Sequence, residues 1–187
     1  MIRSILAASA ATAIIVSASA QDAQIGPSVG EKIPTFSAVT SGGETVDLAA
    51  ISGTDGSVLV FSRSLDWCPF CKTQANDLED IAGDLSAAGY ALSLITYDSP
   101  ETLQTYGKSA KLSYTLLSDT DSAMIDGLGL RNADVPEGSR FDGIPHPAVV
   151  FISAEGTVEA VLREDGYRDR PSNEAILAQA TALNAVE

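Results

Sequence analysis

The spacing of hydrophobic positions changes several times along the chain, and each change marks a predicted element. Residues 57–62 (SVLVFS) are a largely apolar run behind a glycine-rich turn, which is typical of a buried central strand. From Cys68 onward the spacing becomes helical and stays so until Gly89, where the helix is predicted to end. Residues 90–97 (YALSLITY) predict a second buried strand. The apolar face of the intervening helix is formed by Phe70, Leu78, Ile81 and Leu85.

The rest of the chain continues this alternation of strands and helices. Short strands at 33–36 and 44–48 flank Ser41-Gly42-Gly43 as a hairpin. Residues 131–143 predict a loop of about a dozen residues, long enough to expect a role near a functional site. The pattern predicts an α/β fold with a mixed central sheet flanked by helices, in one domain. The remaining predicted helices are 99–110, 122–128 and 173–185, and the remaining strands are 114–117, 148–153 and 157–162.

The first twenty residues have the composition of an export signal. Arg3 gives a short positive start, residues 5–16 an apolar stretch, and Ala18-Ser19-Ala20 a small-residue cleavage site. The apolar stretch is shorter than the roughly 20 residues needed to cross a bilayer as a helix. We therefore expect a signal peptide at 1–20, an exported, periplasmic protein starting near Gln21, and a single domain over 21–187.

The charge of the chain excludes some classes of partner. The formal net charge is −14, and removing Arg3 with the signal makes it −15, because residues 1–20 contain no Asp or Glu. An acidic surface of this size repels phosphate backbones and anionic lipid heads. We expect no nucleic-acid partner, and no membrane association once the signal is cleaved.

Both cysteines of the chain lie in the stretch SRSLDWCPFCKTQ, and three chemical interpretations are open for them. A purely structural disulfide between Cys68 and Cys71 would close a ring of only four residues. A disulfide that closes a ring of this size stabilises the folded state by roughly 2 kcal/mol, before any strain in the bond is subtracted. A chain with 45% apolar residues has enough core to fold without that bond, so a structural role is disfavoured.

A metal site is the second interpretation. Structural zinc needs four ligands, whereas this chain offers two thiols and one imidazole, His146. Cu(I) accepts fewer and softer ligands. A Cu(I)-binding module that uses Cys68, Cys71 and His146 therefore stays as a remote alternative, and otherwise we expect no metal and no cofactor.

A redox-active dithiol is the third interpretation and fits the local pattern. Cys68 lies where a buried strand ends and a helix begins, and Pro69 suits the first helical turn. Free N–H groups and the helix dipole at that position favour a thiolate on Cys68. Cys71, one turn further along, then acts as the resolving thiol. The nearby Arg63 either stabilises the thiolate or faces solvent.

The segment Trp67-Cys68-Pro69-Phe70-Cys71 after the strand SVLVFS resembles the active-site segment of thioredoxin-fold redoxins of the alkyl hydroperoxide reductase/thiol-specific antioxidant kind. The lead-in VGEKIPTF and the later FISAEGTV are similar to the same family, and the likeness covers residues 29–185. It implies a thioredoxin-like fold, with Cys68 and Cys71 as a catalytic redox disulfide. Trp67 would pack beside the sulfur and shield it.

The resemblance also implies a partner platform opposite the dithiol. Thioredoxin-like proteins carry a cis-proline there, and the chain offers two candidates in Gly143-Ile144-Pro145-His146-Pro147. Spacing from the following hairpin favours Pro147, with Pro145 in reserve. His146 would then lie beside the nucleophile, where it could modulate the thiolate or shuttle a proton.

Two departures from the family pattern bear on the reaction. Typical peroxiredoxins carry P-x-x-x-T-x-x-C, and here Phe61 and Leu65 stand at the Pro and Thr positions. Their arginine ahead of the hairpin strand aligns with Pro147. We therefore expect a thiol–disulfide oxidoreductase acting by disulfide exchange. A peroxiredoxin-like thiol peroxidase with antioxidant activity is the alternative.

The substrates follow from this pair of functions. Protein thiols and disulfides serve the first function and hydroperoxides the second, and both require an electron donor that the sequence does not identify. The reduction potentials of comparable dithiols span roughly −270 to −120 mV, so both directions of electron flow are open.

Overall fold

The computed structural model describes residues 25–166 and 168–185. The expected signal peptide, residues 1–20, lies outside the described residues. Within them, seven strands form one sheet in the order β2-β1-β5-β4-β3-β6-β7. The strands are β1 (Ala38–Thr40), β2 (Thr45–Val46), β3 (Gly56–Phe61), β4 (Tyr90–Thr96), β5 (Thr115–Ser118), β6 (Ala148–Ser153) and β7 (Val158–Leu162). The helices are α1 (Pro69–Ala87), α2 (Pro100–Ala110), α3 (Ala123–Gly127) and α4 (Asn173–Asn184), with a short 3₁₀ helix at Ala49–Ile51.

β3 is the central strand that the apolar run predicts. It pairs in parallel with β4 and antiparallel with β6, and every one of its residues is buried. Because side chains alternate along a strand, Val58 and Val60 contribute to the core on one face of the sheet, and Leu59 and Phe61 to the core on the other. The mixed sheet with helices on both faces confirms the predicted thioredoxin-like α/β fold.

The two faces of the sheet are covered unequally. Helices α1, α2 and α4 pack on the face of Val58 and Val60, whereas α3 and the 3₁₀ helix pack on the other face. Cys68 and Cys71 belong to the first of these cores. The dithiol therefore lies where β3 ends and α1 begins, at the edge of the larger hydrophobic layer.

The start of α1 has the local structure that the sequence predicts. Cys68 is the N-cap, with an extended backbone at φ −95° and ψ 106°, and Pro69 is the first helical residue. Proline is well suited there because a first-turn N–H has no partner within the helix. At the other end, Gly89 has a φ of +84°, a conformation that few other residues adopt without strain.

The first predicted strand, 33–36, is misplaced. Residues 31–33 instead bond to the connection between β6 and β7: the N–H of Ile33 donates to Gly156 O at 3.0 Å, and the N–H of Val158 donates to Glu31 O at 2.8 Å. Pro34 has no N–H and cannot continue this ladder. The hairpin strand therefore begins later, at Ala38.

Among residues 25–166 and 168–185, no helix is both long enough and apolar enough to cross a bilayer.

The core of the sheet gives a direct test of this packing. Phe151 in β6 has no exposed surface, and its ring meets Tyr90 edge-on at a centroid distance of 5.7 Å. We expect Phe151→Ala to lower the free energy of unfolding by about 3–5 kcal/mol, because it leaves a cavity in a close-packed layer. Urea denaturation of the oxidised protein measures this loss. Phe70→Ala is the matched control, since Phe70 is 41% exposed, and equal losses in both variants would contradict the assignment of Phe151 to the core.

Candidate active site

The two cysteines are joined in a disulfide at the N-terminus of α1. Their Cα atoms are 5.3 Å apart. The Cys68 sulfur also accepts the backbone N–H of Cys71 at 3.2 Å. Neither cysteine has exposed surface. The sulfur of Cys68 thus lies at the positive end of the helix dipole, with a fixed donor aimed at it and no bulk water around it.

Arg63 contacts the Cys68 sulfur. Its Nη2 lies 3.4 Å from Cys68 Sγ, and its Cζ lies 5.6 Å from the centre of the Trp67 ring. The sequence left open whether Arg63 stabilises the thiolate or faces solvent, and the structure places its guanidinium beside the sulfur. A guanidinium at this distance favours the ionised form of the thiol after reduction.

A second arginine contacts the Cys71 sulfur. Arg170, in the segment between β7 and α4, places Nη2 3.6 Å from Cys71 Sγ. Burial, reinforced by the charge of Arg63, lowers the pKa of Arg170 to about 10. The guanidinium is still protonated at neutral pH. Each sulfur of the disulfide therefore has a cation beside it.

Gln74 holds Arg170 in this position. The Nε of Arg170 donates to Gln74 Oε1 at 3.0 Å, and the hydroxyl of Ser62 donates to the same oxygen at 3.4 Å. Gln74 is buried on the α1 face that also carries Cys71 and Leu78. Neither Gln74 nor Arg170 is among the site residues expected from the sequence. A polar residue on an apolar helix face was the available signal for Gln74, whereas no local pattern marks Arg170.

Trp67 is fixed by contacts from two directions. Its Nε1 donates to the hydroxyl of Tyr97 at 3.0 Å, and its ring packs on Phe141 at a centroid distance of 4.7 Å. Phe141 belongs to the loop over residues 131–143, and the loop is pinned by an ion pair from Arg131 to Asp142 at 2.7 Å. The expectation that this loop lies near the site is confirmed. Trp67 packs against the core that contains both cysteines.

Asp98 fixes the turn that leads into Cys68. Its two carboxylate oxygens accept the hydroxyl of Ser64 at 2.7 Å and the N–H of Leu65 at 2.6 Å. The Ser64 oxygen in turn accepts the N–H groups of Asp66 and Trp67 at 3.0 and 3.3 Å. A buried carboxylate thus satisfies the polar groups of the turn, directly or through Ser64. Sequence reasoning missed this residue, although its position two residues after a buried strand is a weak signal.

The His146-Pro147 platform differs from the expectation. All peptide bonds of the described residues are trans, including those before Pro145 and Pro147, so the predicted cis-proline is wrong. The segment is extended because it pairs with the chain near Leu130: the N–H of His146 donates to Leu130 O at 2.7 Å, and Asn132 N–H donates to Ile144 O at 2.9 Å.

The charged neighbours of His146 are Arg163 and Asp134. Burial, and then the charge of Arg163, lower the pKa of His146 below its usual value, and Asp134 opposes this shift. Among the contacts described for the imidazole, none joins it to Cys68 or Cys71. Pro147 directly precedes β6, whose first residue Ala148 pairs with Phe61 at the end of β3. The His146-Pro147 segment therefore lies at the same end of the sheet as the disulfide, without a described bond to it.

The Cu(I) alternative lacks a ligand set. Within residues 25–166 and 168–185, no group of three or more His, Cys, Asp or Glu side chains is clustered so that it could hold a metal. Cys68, Cys71 and His146 are accordingly not assembled as ligands, because the two sulfurs bond to each other.

Phe61 and Leu65, which argued against peroxide chemistry in the sequence, are both core residues. Phe61 ends the buried strand β3 with no exposed surface, and Leu65 is 1% exposed. At Leu65 it is the backbone N–H that donates to Asp98. The side chains at these two positions therefore serve packing, and the polar groups near the sulfurs come from Arg63, Arg170 and Gln74.

The role of Asp98 gives a second test. We expect Asp98→Ala to lower the free energy of unfolding by about 3 kcal/mol or more, since each buried donor left without its acceptor costs about 1–3 kcal/mol. The alkylation rate of reduced Cys68 by iodoacetamide should fall as the turn loses its fixed geometry. Asp66→Ala removes an exposed carboxylate from the same turn and should change stability by less than about 0.5 kcal/mol. Similar losses in both variants would refute the positioning role of Asp98.

Comparison with known proteins identifies relatives over most of the chain. The model of the AhpC/TSA family matches residues 29–161. Peroxiredoxin Bcp of Escherichia coli (strain K12) is 31% identical over 148 residues, which cover 79% of this chain and 92% of that protein.

Solved structures agree with this at the level of the fold. Peroxidoxin BcpB from Mycobacterium tuberculosis has a TM-score of 0.72 at 19% identity, covering 86% of this chain and 99% of that one. The bacterioferritin comigratory protein of Xanthomonas campestris, studied for alkyl peroxide reduction activity, has a TM-score of 0.69 at 22% identity, covering 83% and 99%. With a paired CxxC disulfide in a thioredoxin-like sheet and a family match over residues 29–161, the chain belongs to the AhpC/TSA family of thiol-dependent redox enzymes.

Proposed function

We propose that this protein is a thiol peroxidase that reduces hydroperoxides, alkyl hydroperoxides among them, with Cys68 and Cys71 as its redox pair. The proposal rests on the surroundings of the Cys68 sulfur at the start of α1. This sulfur accepts hydrogen bonds from the Cys71 N–H and from the Arg63 guanidinium. The Bcp relative and the alkyl peroxide reduction reported for the Xanthomonas campestris protein support peroxide as the oxidant. The comparisons thus favour the second of the two functions expected from the sequence.

The first step takes place at the reduced Cys68. Its thiolate gives an electron pair to one oxygen of the hydroperoxide, so that an S–O bond forms and the O–O bond breaks. The other oxygen leaves as an alkoxide or hydroxide and takes up a proton to give an alcohol or water. The Cys71 N–H and Arg63 are fixed before the peroxide arrives, and such preorganised donors stabilise charge without a reorganisation cost.

The second step returns the site to the observed state. The thiol of Cys71 attacks the sulfenic sulfur of Cys68, a disulfide forms, and the hydroxyl leaves as water with the thiol proton. Cys71 is already placed for this attack, since the two Cα atoms are 5.3 Å apart within one helical turn. Two electrons from an external thiol donor, through a mixed disulfide, then regenerate the dithiol.

The burial of both sulfurs favours a small oxidant over a protein one. Cys68 and Cys71 have no exposed surface, and the ring of Trp67, next to Cys68 in the chain, packs on Phe141. A folded protein disulfide needs the chain around the site to open before it can meet the sulfur, whereas a hydroperoxide needs much less room. In this scheme, disulfide exchange takes place only in the reductive step, in which a thiol donor regenerates the dithiol.

The peroxidase proposal is tested by stopped-flow oxidation. We expect reduced wild-type protein to react with hydrogen peroxide about 100-fold or more faster than free cysteine, the scale that positioned donors contribute. Cys71→Ser should accumulate a sulfenic acid on Cys68, and adding Arg63→Gln to that variant should slow its formation by about 10–100-fold. Arg63→Lys keeps the charge and serves as the matched control. A wild-type rate equal to that of free cysteine would reject the peroxidase function.

We also propose that the protein is exported to the periplasm. Support comes from the sequence of residues 1–20, with Arg3, the apolar stretch 5–16 and the small residues before Gln21. Fractionation of the native host, followed by N-terminal sequencing, should find the protein outside the cytoplasm and starting near Gln21. Deletion of residues 5–16 should retain it inside. Recovery of full-length protein beginning at Met1 in the cytoplasm would overturn the proposal.

A further inference from the structure

The two sulfurs of the disulfide do not share one cation. Arg63 reaches Cys68 Sγ at 3.4 Å, and Arg170 reaches Cys71 Sγ at 3.6 Å. In a CxxC pair at a helix start, the dipole and the free N–H groups act chiefly on the first sulfur. The second sulfur, buried one turn further along, has an ordinary or raised pKa unless a charge is placed beside it. Here a charge is placed beside it.

We propose that Arg170 stabilises a thiolate on Cys71, so that this chain has two sulfur nucleophiles, each activated by its own arginine. Arg170 is a positioning residue in this proposal, since it acts through Cys71. The inference deepens the proposed peroxidase function and rests on it for its biological meaning. Its physical content, the ionisation of Cys71, is independent of any peroxide.

The position of Arg170 is built into the core. Gln74 Oε1 accepts Arg170 Nε at 3.0 Å and Ser62 Oγ at 3.4 Å, and the side chain of Gln74 is buried. A long flexible cation at a protein surface loses much of its effect to rotation and to water. A guanidinium held by a buried amide keeps one orientation, with Nη2 directed at the sulfur.

The charges around the disulfide favour the reduced, ionised state. In the oxidised protein, Arg63 and Arg170 face a neutral disulfide, and their mutual repulsion contributes to the lowered pKa of Arg170. One thiolate between them would offset this repulsion. Because each sulfur has a cation, the negative charge can reside on either one, and the pair titrates as a coupled system.

Two separate depressions lie among the residues around the disulfide, and neither sulfur lines either of them. One, of about 280 Å³, lies beside Trp67 and Phe141 on the Cys68 side. The other, of about 440 Å³, is lined by Phe70, Gln74 and Arg170. Arg170 therefore contacts Cys71 and also lines a groove that is open to solvent. An alkyl hydroperoxide entering there would meet the half-exposed ring of Phe70 and then the guanidinium next to Cys71.

The reaction at Cys71 balances in the same way as at Cys68. A Cys71 thiolate attacks the hydroperoxide, an S–O bond forms, the O–O bond breaks, and the leaving oxygen is protonated to an alcohol. Cys68 then displaces water from the Cys71 sulfenic acid and forms the same disulfide. The oxidised product is identical by either route, so only variants that isolate one sulfur can separate them.

The experiment is a thiolate titration in single-cysteine variants, followed by ultraviolet absorbance without peroxide. In Cys68→Ser, we expect Cys71 to ionise well below the usual thiol pKa of roughly 8.5. Adding Arg170→Gln should raise that pKa by about one unit or more, a tenfold loss of thiolate. Adding Arg63→Gln instead should raise the Cys71 pKa by less than a third of the rise that Arg170→Gln causes. In Cys71→Ser, the order of the two arginine effects on Cys68 should reverse.

Further variants separate charge from structure. Arg170→Lys should restore most of the Cys71 ionisation if charge is responsible, and urea unfolding of each variant shows whether it has folded. The proposal is overturned if Cys71 in Cys68→Ser titrates at or above roughly 8.5. Equal effects of the two arginine substitutions on Cys71 would overturn it as well. Peroxide oxidation of Cys68→Ser is a separate measurement: slow oxidation of a demonstrated Cys71 thiolate would count against the peroxidase function alone.

Discussion

The central constraint on this structure is that a charge must form inside a hydrophobic layer. Cys68 and Cys71 belong to the same apolar core as the central strand and α1, and neither has exposed surface. A bare thiolate there would be strongly disfavoured by desolvation. The start of α1, the two guanidinium groups and the buried amide of Gln74 can be understood as the polar environment that replaces water at this one place.

That requirement explains why polar residues interrupt otherwise apolar elements. Ser62 directly follows β3, and Gln74 lies on the apolar face of α1, and both bond within one network that ends at Arg170. Asp98 plays a similar part for the backbone of the turn before Cys68. Each of these groups is buried and has a partner, and a buried polar group with its partner in place costs little. Removing Gln74 would take away the acceptor that Ser62 and Arg170 share.

Much of the fold was accessible from the sequence, because its strongest patterns are local. The buried strand β3, the α1 boundaries at Pro69 and Gly89, and the CxxC pair follow from hydrophobic period, proline and glycine placement and cysteine spacing. The Arg170 contact and the Asp98 network were not accessible, because they join residues 99 and 33 positions apart. The trans geometry at Pro147 was missed because the cis-proline was expected from the family resemblance and not from a local pattern. In the sequence, Phe61 and Leu65 argue against peroxide reduction because they replace the Pro and Thr of the peroxiredoxin motif. That argument assumes that the hydrogen-bond donors around the reactive sulfur must come from those motif positions.

The distance along the chain between Cys71 and Arg170 also affects the order of events during synthesis. Arg170 follows Cys71 by 99 residues, after β6 and β7 have been made. Until those strands pair and the segment before α4 docks, Cys71 has no cation beside it. If Arg170 stabilises the Cys71 thiolate as proposed, a partly synthesised or partly folded chain lacks that stabilisation, and its Cys71 ionises less readily at a given pH. In the proposed scheme, the ionisation of this sulfur is acquired only with the completed sheet.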